Sequence, residues 1–515
     1  MKSCRNNNRA GAWAFLAVVL AAAAAIIFVL TRDAEVGRHD AAVFTEQPPV
    51  VGTPAPSQEL SPAPSLTADP TAGPSYAPAP TPTPGPIPAS VEEAIALYEA
   101  YPVDYPLVDR TAAPRLASVP QPRYTQGDDG VWRSDDCDGD GRAVLILTGD
   151  LMCQTRQEEG AQTANGYDFS ASFSYVKDIF SEGELVVGNL EGITSPTAPL
   201  MREMNEVEGC PFVNMPSEFV GAMRGAGYDM VVMSNNHNCD AGVRGVYDTI
   251  DSVELYGLIH TGLFRTLLEP RVTVVEVDGI KIGFMSYSVF FNYKEDHFTE
   301  SGFDVLFNRL YEERVERDIA AVRAAGAEYV MIYMHWGKEY VNYTTQKQLD
   351  RAQWIADLGA DYIIGSHPHA VQAYDIVTAS DGRKVPVFYS LGNFISHQVK
   401  EISKETAILR VVLERDGDGK VVLAEEGYIP ARTFKDYDGI PYSVIPLTAP
   451  YSKGAKSRYI ASAYEHITSV VGDKIPVIGK FEGCSRRRSA IGDRREKNKK
   501  RVLTFFGSSD IIVIA

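Results

Sequence analysis

Five continuous apolar runs set the limits on what this chain can fold into: AVLILTGD, ELVVGNLE, DMVVMSNN, YVMIYMHWG and DYIIGSH. None alternates apolar with polar residues, so each reads as a strand buried on both faces. Helical periodicity follows in Pro216 to Ala226, Val243 to Tyr256, Leu310 to Ala325 and Gln346 to Leu358. This alternation predicts an α/β domain of about 300 residues with a largely parallel sheet. Two stretches carry a hairpin signal instead: VTVVEVDGIKIGFMSYS, turning at Asp278-Gly279, and ILRVVLERDGDGKVVLAEEGYI.

Every one of the five runs ends in polar residues. They are Asp150 after the first, Asn189 and Glu191 after the second, and Asn235, Asn236 and His237 after the third. The fourth ends in His335 and Glu339, the fifth in His367 and His369. In an open α/β sheet the carboxyl ends of the strands form the ligand crevice, so these groups fall on one rim. Singly, each has a plain structural reading: a Gly-Asp is a turn or cap, and a His beside Trp is a hydrogen-bonded core residue. Together, carboxylates, an amide oxygen and imidazoles form a ligand set for divalent Mn, Fe or Zn, as one ion or two. Asn393 in SLGNF either completes the site or holds a turn, and both readings stay open. Asp240 and Gly242 read as a helix start. Cys153 and Cys239 lie just past two strand ends, and sequence does not decide whether they pair. Asp136, Asp138, Asp140 and Gly141 imitate a calcium loop, but its twelfth position is Leu147 rather than Glu, so the segment reads as a turn.

The rest of the chain is organised differently. Ala10 to Leu30 is apolar and uncharged, long enough to cross a bilayer, and Lys2, Arg5 and Arg9 precede it. The expectation is an uncleaved anchor in the cell membrane, a cytoplasmic N-terminus and an extracytoplasmic remainder. Fourteen of the 31 prolines fall between Pro48 and Pro88, a composition that favours an extended linker. The expected plan is therefore residues 1–9 cytoplasmic, 10–30 transmembrane, 31–90 linker and 91–142 lead-in. An α/β domain (143–435), an extension (436–484) and a basic tail (485–515) follow. A net charge of −18 argues against nucleic acid as a partner. Setting aside the run Arg486 to Arg501, with nine basic and two acidic residues, leaves the body still more acidic. Such an exterior repels polyanions, which would confine any contact with an anionic polymer to the metal rim.

The ordered set TGDLM, NLE, NNHNCDAG, HWGKEY, GSHPH and SLGNF resembles the CapA family of poly-γ-glutamate capsule biosynthesis proteins, of the calcineurin-like metallophosphoesterase superfamily. The resemblance runs from about Val144 to Phe434. It implies a four-layer α/β/β/α sandwich with a metal centre at the sheet edge. By motif, Asp150 would be the first-strand ligand, Glu191 the bridging carboxylate and Asn236 the amide ligand. His335, His367 and His369 would be the imidazole ligands, and His237 the group that stabilises the transition state. The first motif lacks the Asp-x-His histidine, since Met152 follows Leu151, and the second carries Glu where Asp is usual. Those departures bear on whether one ion or two bind. With two, the implied chemistry is in-line attack of an activated water on phosphorus. The implied role is a membrane-anchored part in making, exporting or anchoring an anionic capsule polymer, alongside other capsule-synthesis membrane proteins. The rivals are a free-standing metallophosphoesterase acting on an envelope phosphoester, and a non-catalytic scaffold for polymer or a synthase.

Overall fold

The five apolar runs form strands divided between two sheets rather than sharing one. The structure, a computed structural model, describes residues 87–110, 120–134, 136, 139–204, 206–207, 209–448 and 456–479. The expected anchor, the linker up to residue 86 and the basic tail lie outside the described residues. Among those described, no helix is long and apolar enough to cross a membrane.

Strands β1 (Arg142–Leu151), β2 (Leu185–Leu190), β3 (Met230–Val232) and β4 (Ile259–Thr261) are mutually parallel. Between them run helices α1 (Ser217–Ala226) and α2 (Gly242–Leu255). The hairpin predicted at Asp278-Gly279 forms from β5 (Thr273–Val277) and β6 (Ile280–Ser288), with φ positive at both turn residues. Parallel to β6 run β7 (Tyr329–His335) and β8 (Tyr362–Ser366), connected through α3 (Glu312–Ala324) and α4 (Gln346–Leu358). A Thr345–Gln348 capping box starts α4, and Gly359 ends it in the left-handed region at φ 120°. The remaining strands are β9 (Tyr374–Thr378), β10 (Lys384–Phe388), β11 (Asn393–Ile395), β12 (Glu405–Arg415), β13 (Val421–Tyr437) and β14 (Ile440–Pro446). One sheet has the order β4-β3-β2-β1-β12-β13-β14, with β11 paired to β1. The other has β5-β6-β7-β8-β10-β9, extended beyond β5 by Trp132–Arg133 and Thr125–Gln126.

Alternation along β1 shows why its run is apolar throughout. Leu145 and Leu147 enter a core shared with Ile282, Met331 and Ile364 of the other sheet. Ile146 points the other way, into a core with Phe219, Val220, Val246 and Ile250 of α1 and α2. A third core joins Val330, Ile332 and Ile363 to Val315 and Ile319 of α3 and to Ala352 and Ile355 of α4. The order across the fold is helices, sheet, sheet, helices. Helix α5 (Ser457–Val471) sets Ile460, Ala463, Ile467 and Val471 into the core between the sheets, so these residues of the extension pack with the α/β domain. Two glycines allow the close approaches near the strand ends. A Cβ on Gly149 would lie 2.0 Å from the Gly392 carbonyl oxygen, and one on Gly365 would lie 1.9 Å from that of Tyr389.

Glu158, in the short helix Thr155–Ala161 that follows β1, is fully buried, and its Oε1 has no hydrogen-bond partner. Burial pushes its carboxyl up to about 7, against the pull of the Arg202 backbone N–H and guanidinium. A carboxyl with a raised folded pKa stabilises the fold least once it must ionise, so its contribution is lost as pH rises from 4.5 to about 7. Glu158→Gln is expected to add on the order of 2–3 kcal/mol at pH 8 and little at pH 4. Denaturant melts at the two pH values measure it, and an equal effect at both would contradict the burial argument.

Candidate metal centre

Strand register brings the polar ends together. Asp150 of β1 pairs with Asn189 of β2 on one side and with Asn393 of β11 on the other. A shift of register in β1 between Leu147 and Asp150 re-aims the strand there, a feature common beside active sites. In the other sheet, Ser288, His335 and Ser366 share one level across β6, β7 and β8. The carboxyl ends of both sheets meet at one edge of the fold.

Asn189 Nδ2 donates to Asp150 Oδ1 at 2.8 Å. His335 shares a hydrogen bond with Ser366 Oγ through Nδ1 (3.0 Å) and meets Asn236 Oδ1 through Nε2 (2.7 Å). Asn236 is held in turn by its Nδ2, which donates to Asn292 Oδ1 at 3.0 Å. Asn235 fixes the turn below: its Nδ2 donates to the Leu190 carbonyl, and its Oδ1 accepts from the His237 N–H. Both histidines of GSHPH have positive φ, 91° at His367 and 52° at His369. Two non-glycine residues in that region flanking one proline store backbone strain, on the order of 1–3 kcal/mol each. The His367 N–H donates to Asp150 Oδ2 (3.3 Å) and the Pro368 carbonyl accepts from Tyr340 N (2.7 Å), which anchors the strained segment. Asn393 serves both readings left open for it. Its Oδ1 meets His369 Nδ1 at 2.8 Å, while its Nδ2 donates to Ser396 Oγ, Gln398 Oε1 and the Ser403 carbonyl.

At the centre, Glu191, His367 and His369 each present a ligand atom within 4.8 Å of one another, and so do Asp150, Glu191 and His335. Glu191 is common to both groups. Its Oε1 lies 3.6 Å from both His335 Nε2 and His369 Nε2, and Asp150 Oδ2 lies 3.5 Å from His369 Nδ1. These gaps exceed a hydrogen bond. The two Glu191 gaps suit donor pairs that share an ion, since bonds of about 2.1 Å near tetrahedral or octahedral angles separate donor atoms by about 3–3.5 Å. Asp150 faces the other ring nitrogen of His369 and shares its ligand group with His335 instead. Both Glu191 oxygens, Asn189 Oδ1 and His367 Nδ1 are buried without a partner, which a native core rarely tolerates.

The electrostatics also call for a cation. Burial, reinforced by Asp150 and Glu339, pushes the Glu191 carboxyl well above its ordinary value against the pull of His369. Against the penalty of burial, Glu191 and Asp150 push His369 up to about 10. Burial, then neighbouring imidazoles, hold His335 and His367 well below the ordinary histidine value, so both are neutral and suited to ligation. Glu339 is exposed and acts on the centre only through its charge.

Beside this centre stands a dyad. His237 Nδ1 meets Asp240 Oδ2 at 2.9 Å, and Asp240 Oδ1 accepts from Lys294 Nζ at 2.8 Å. Despite complete burial, His237 and Lys294 keep the Asp240 carboxyl below its ordinary value. Asp240 was read from sequence with Gly242 as a helix start; Gly242 does open α2, but Asp240 orients the histidine. The three-residue spacing of His237 and Asp240 was the available signal. Nothing near the motif announced Lys294, Asn292 or Ser366. Tyr340, with φ 60°, sets its ring 5.7 Å from that of His369. Cys153 and Cys239 are free and buried, so they do not pair.

Residues 144–398 match the family model described as bacterial capsule synthesis protein PGA_cap. The match covers just under half of the chain. The chain is similar to the capsule biosynthesis protein CapA of Bacillus anthracis, 24% identical over 287 residues, which are 54% of this chain and 65% of that protein. It is also similar to the PGA biosynthesis protein CapA of Bacillus subtilis (strain 168), 26% identical over 282 residues, 53% of this chain and 68% of that one. The chain thus spans just under two thirds of the B. anthracis protein's length. Among solved structures, the calcineurin-like phosphoesterase YfkN from B. subtilis aligns with 63% of this chain and 96% of its own, at 13% identity and a TM-score of 0.33. The NAD nucleotidase of Haemophilus influenzae aligns with 70% of this chain and 60% of its own, at 12% identity and a TM-score of 0.36. The matched residues contain both ligand groups, from Asp150 to His369.

Proposed function

We propose that this protein is membrane-anchored and extracytoplasmic, and takes part in the synthesis, export or anchoring of an anionic capsule polymer such as poly-γ-glutamate. Its site is of metallophosphoesterase type. The observation that carries the reading is the buried cluster in which two ligand groups share Glu191 while both its oxygens lack a partner. One ion would fit Glu191, His367 and His369; a second would fit Asp150, Glu191 and His335, with Asn236 Oδ1 beside His335 Nε2. A divalent cation at such a site supplies Lewis acidity and lowers the pKa of coordinated water. The chain's own residues do the rest. Asn189 and Ser366 orient Asp150 and His335. Asp240 accepts a hydrogen bond from His237 Nδ1–H, so that the ring, when protonated on both nitrogens, can donate from Nε2–H to charge that develops on a substrate oxygen. Membrane attachment rests on the apolar stretch 10–30, and capsule work on the family.

The names of the two CapA relatives support the capsule role, and the neutral His335 and His367, suited to ligation, support a bound metal. A strain deleted for this chain should lose its capsule polymer. Wild-type protein should restore it and the His237→Ala protein should not. Restoration by His237→Ala would leave a scaffold as the better account.

A further inference from the structure

Next to the metal-type cluster lies a second concavity, of about 330 Å³, that the reading above does not use. Its wall carries Arg156, Lys404, Arg432, Lys435 and Lys456 against a single carboxylate, Glu401. Five cations in one hollow stand out on a chain whose net charge is −18. Glu401 neutralises only part of them, pairing with Lys404 and Arg432 at 2.6 Å each. Arg156 is exposed and makes no ion pair among the described residues. Among the described residues, Lys435 pairs only with Asp436, at 4.0 Å, and Lys456 Nζ reaches only the Lys435 carbonyl, at 3.4 Å. Burial, with the Arg156 charge next, pushes the His397 imidazole in the same wall below its ordinary value, consistent with a positive field.

The two sites share a wall. Ser396 and Gln398 line the hollow, and both accept from Asn393 Nδ2, whose Oδ1 meets His369. The His397 N–H donates to Gln154 Oε1, the residue that precedes the helix bearing Arg156, four positions after Asp150. Beyond Val399 at the rim, Lys400 Nζ sits 3.5 Å from the Tyr340 ring centre, and Tyr340 faces His369. Positive charge thus continues from the hollow to the metal-type cluster.

The cations come from segments near 156, 404, 432 and 456, so the spaced charges of one chain can each meet a different one. Phe434, Tyr442 and Tyr459 place apolar surface among them, which suits a chain with methylene stretches between its charges. We propose that this hollow is a subsite for an acidic chain, holding successive carboxylates through Arg156, Lys435 and Lys456 while the neighbouring segment lies at the metal-type cluster. The proposal rests on the polymer reading above and corrects the expectation that an acidic exterior confines polymer contact to the metal rim.

The test is fluorescence anisotropy of a labelled γ-linked glutamate hexamer with the full-length protein, competed by free glutamate and by inorganic phosphate. The hexamer should bind at least about tenfold more tightly than either competitor. Lys435→Glu/Lys456→Glu, and separately Arg156→Glu, should each weaken it by about tenfold and leave metal content and melting temperature unchanged. Hexamer binding that ignores both charge reversals would overturn the proposal, as would phosphate binding as tightly as the hexamer. Charge-sensitive binding by a protein that takes up no metal would sink the metal-site reading and leave the subsite standing. Metal uptake with charge-insensitive binding would do the reverse.

Discussion

Glu191→Gln is expected to abolish uptake of divalent metal and, at the same time, to stabilise the metal-free protein. The two effects share one cause. The Glu191 carboxylate is completely buried, its oxygens have no hydrogen-bond partner, and Asp150 lies close enough to raise its pKa further. Without a cation, the fold bears the cost of keeping that buried, unsatisfied carboxyl protonated; removing it should be worth on the order of 2 kcal/mol at neutral pH. With a cation, the same oxygens are the shared ligand of both groups, so their loss weakens every bond in the cluster. Melting curves in chelator and in manganese should therefore cross: the variant melts higher than wild type in chelator and lower in manganese. A variant that melts lower in both would mean that Glu191 is an ordinary structural residue.

His237→Ala is expected to reduce phosphoesterase turnover by about 10²- to 10³-fold, the range found when one donor to developing charge is removed. Metal content should not change, because neither candidate ligand group includes His237. The Asp240–Lys294 pair gives a control. Lys294 touches Asp240 but not His237, so Lys294→Met should lower activity less than His237→Ala. Turnover of a generic phosphoester with manganese, scored beside metal content, separates the two residues. Equal activity of wild type and His237→Ala would remove the dyad from the chemistry.

Much of this was legible in the chain. Continuous apolar runs gave the strands because residues such as Leu145, Ile146 and Leu147 are all buried, on alternate faces. Periodicity is silent on which strand neighbours which, so the split into two sheets lay beyond it. Asn393 was ambiguous because β11 has only three residues and takes its meaning from its register with Asp150. Asp240 resembled a cap because its partner Lys294 arrives from a loop 54 residues away. The left-handed backbone at His367 and His369 was hidden as well, since a proline between them suggests rigidity and not strain. The basic hollow left no trace as a charge run, because its lysines and arginines come from segments near 156, 404, 432 and 456.

Metal analysis of the purified full-length protein tests the central claim most directly. After incubation with manganese and desalting, the wild type should retain one to two equivalents of divalent ion per chain, and Glu191→Gln should retain none. A wild type that holds no more metal than Glu191→Gln would contradict the account.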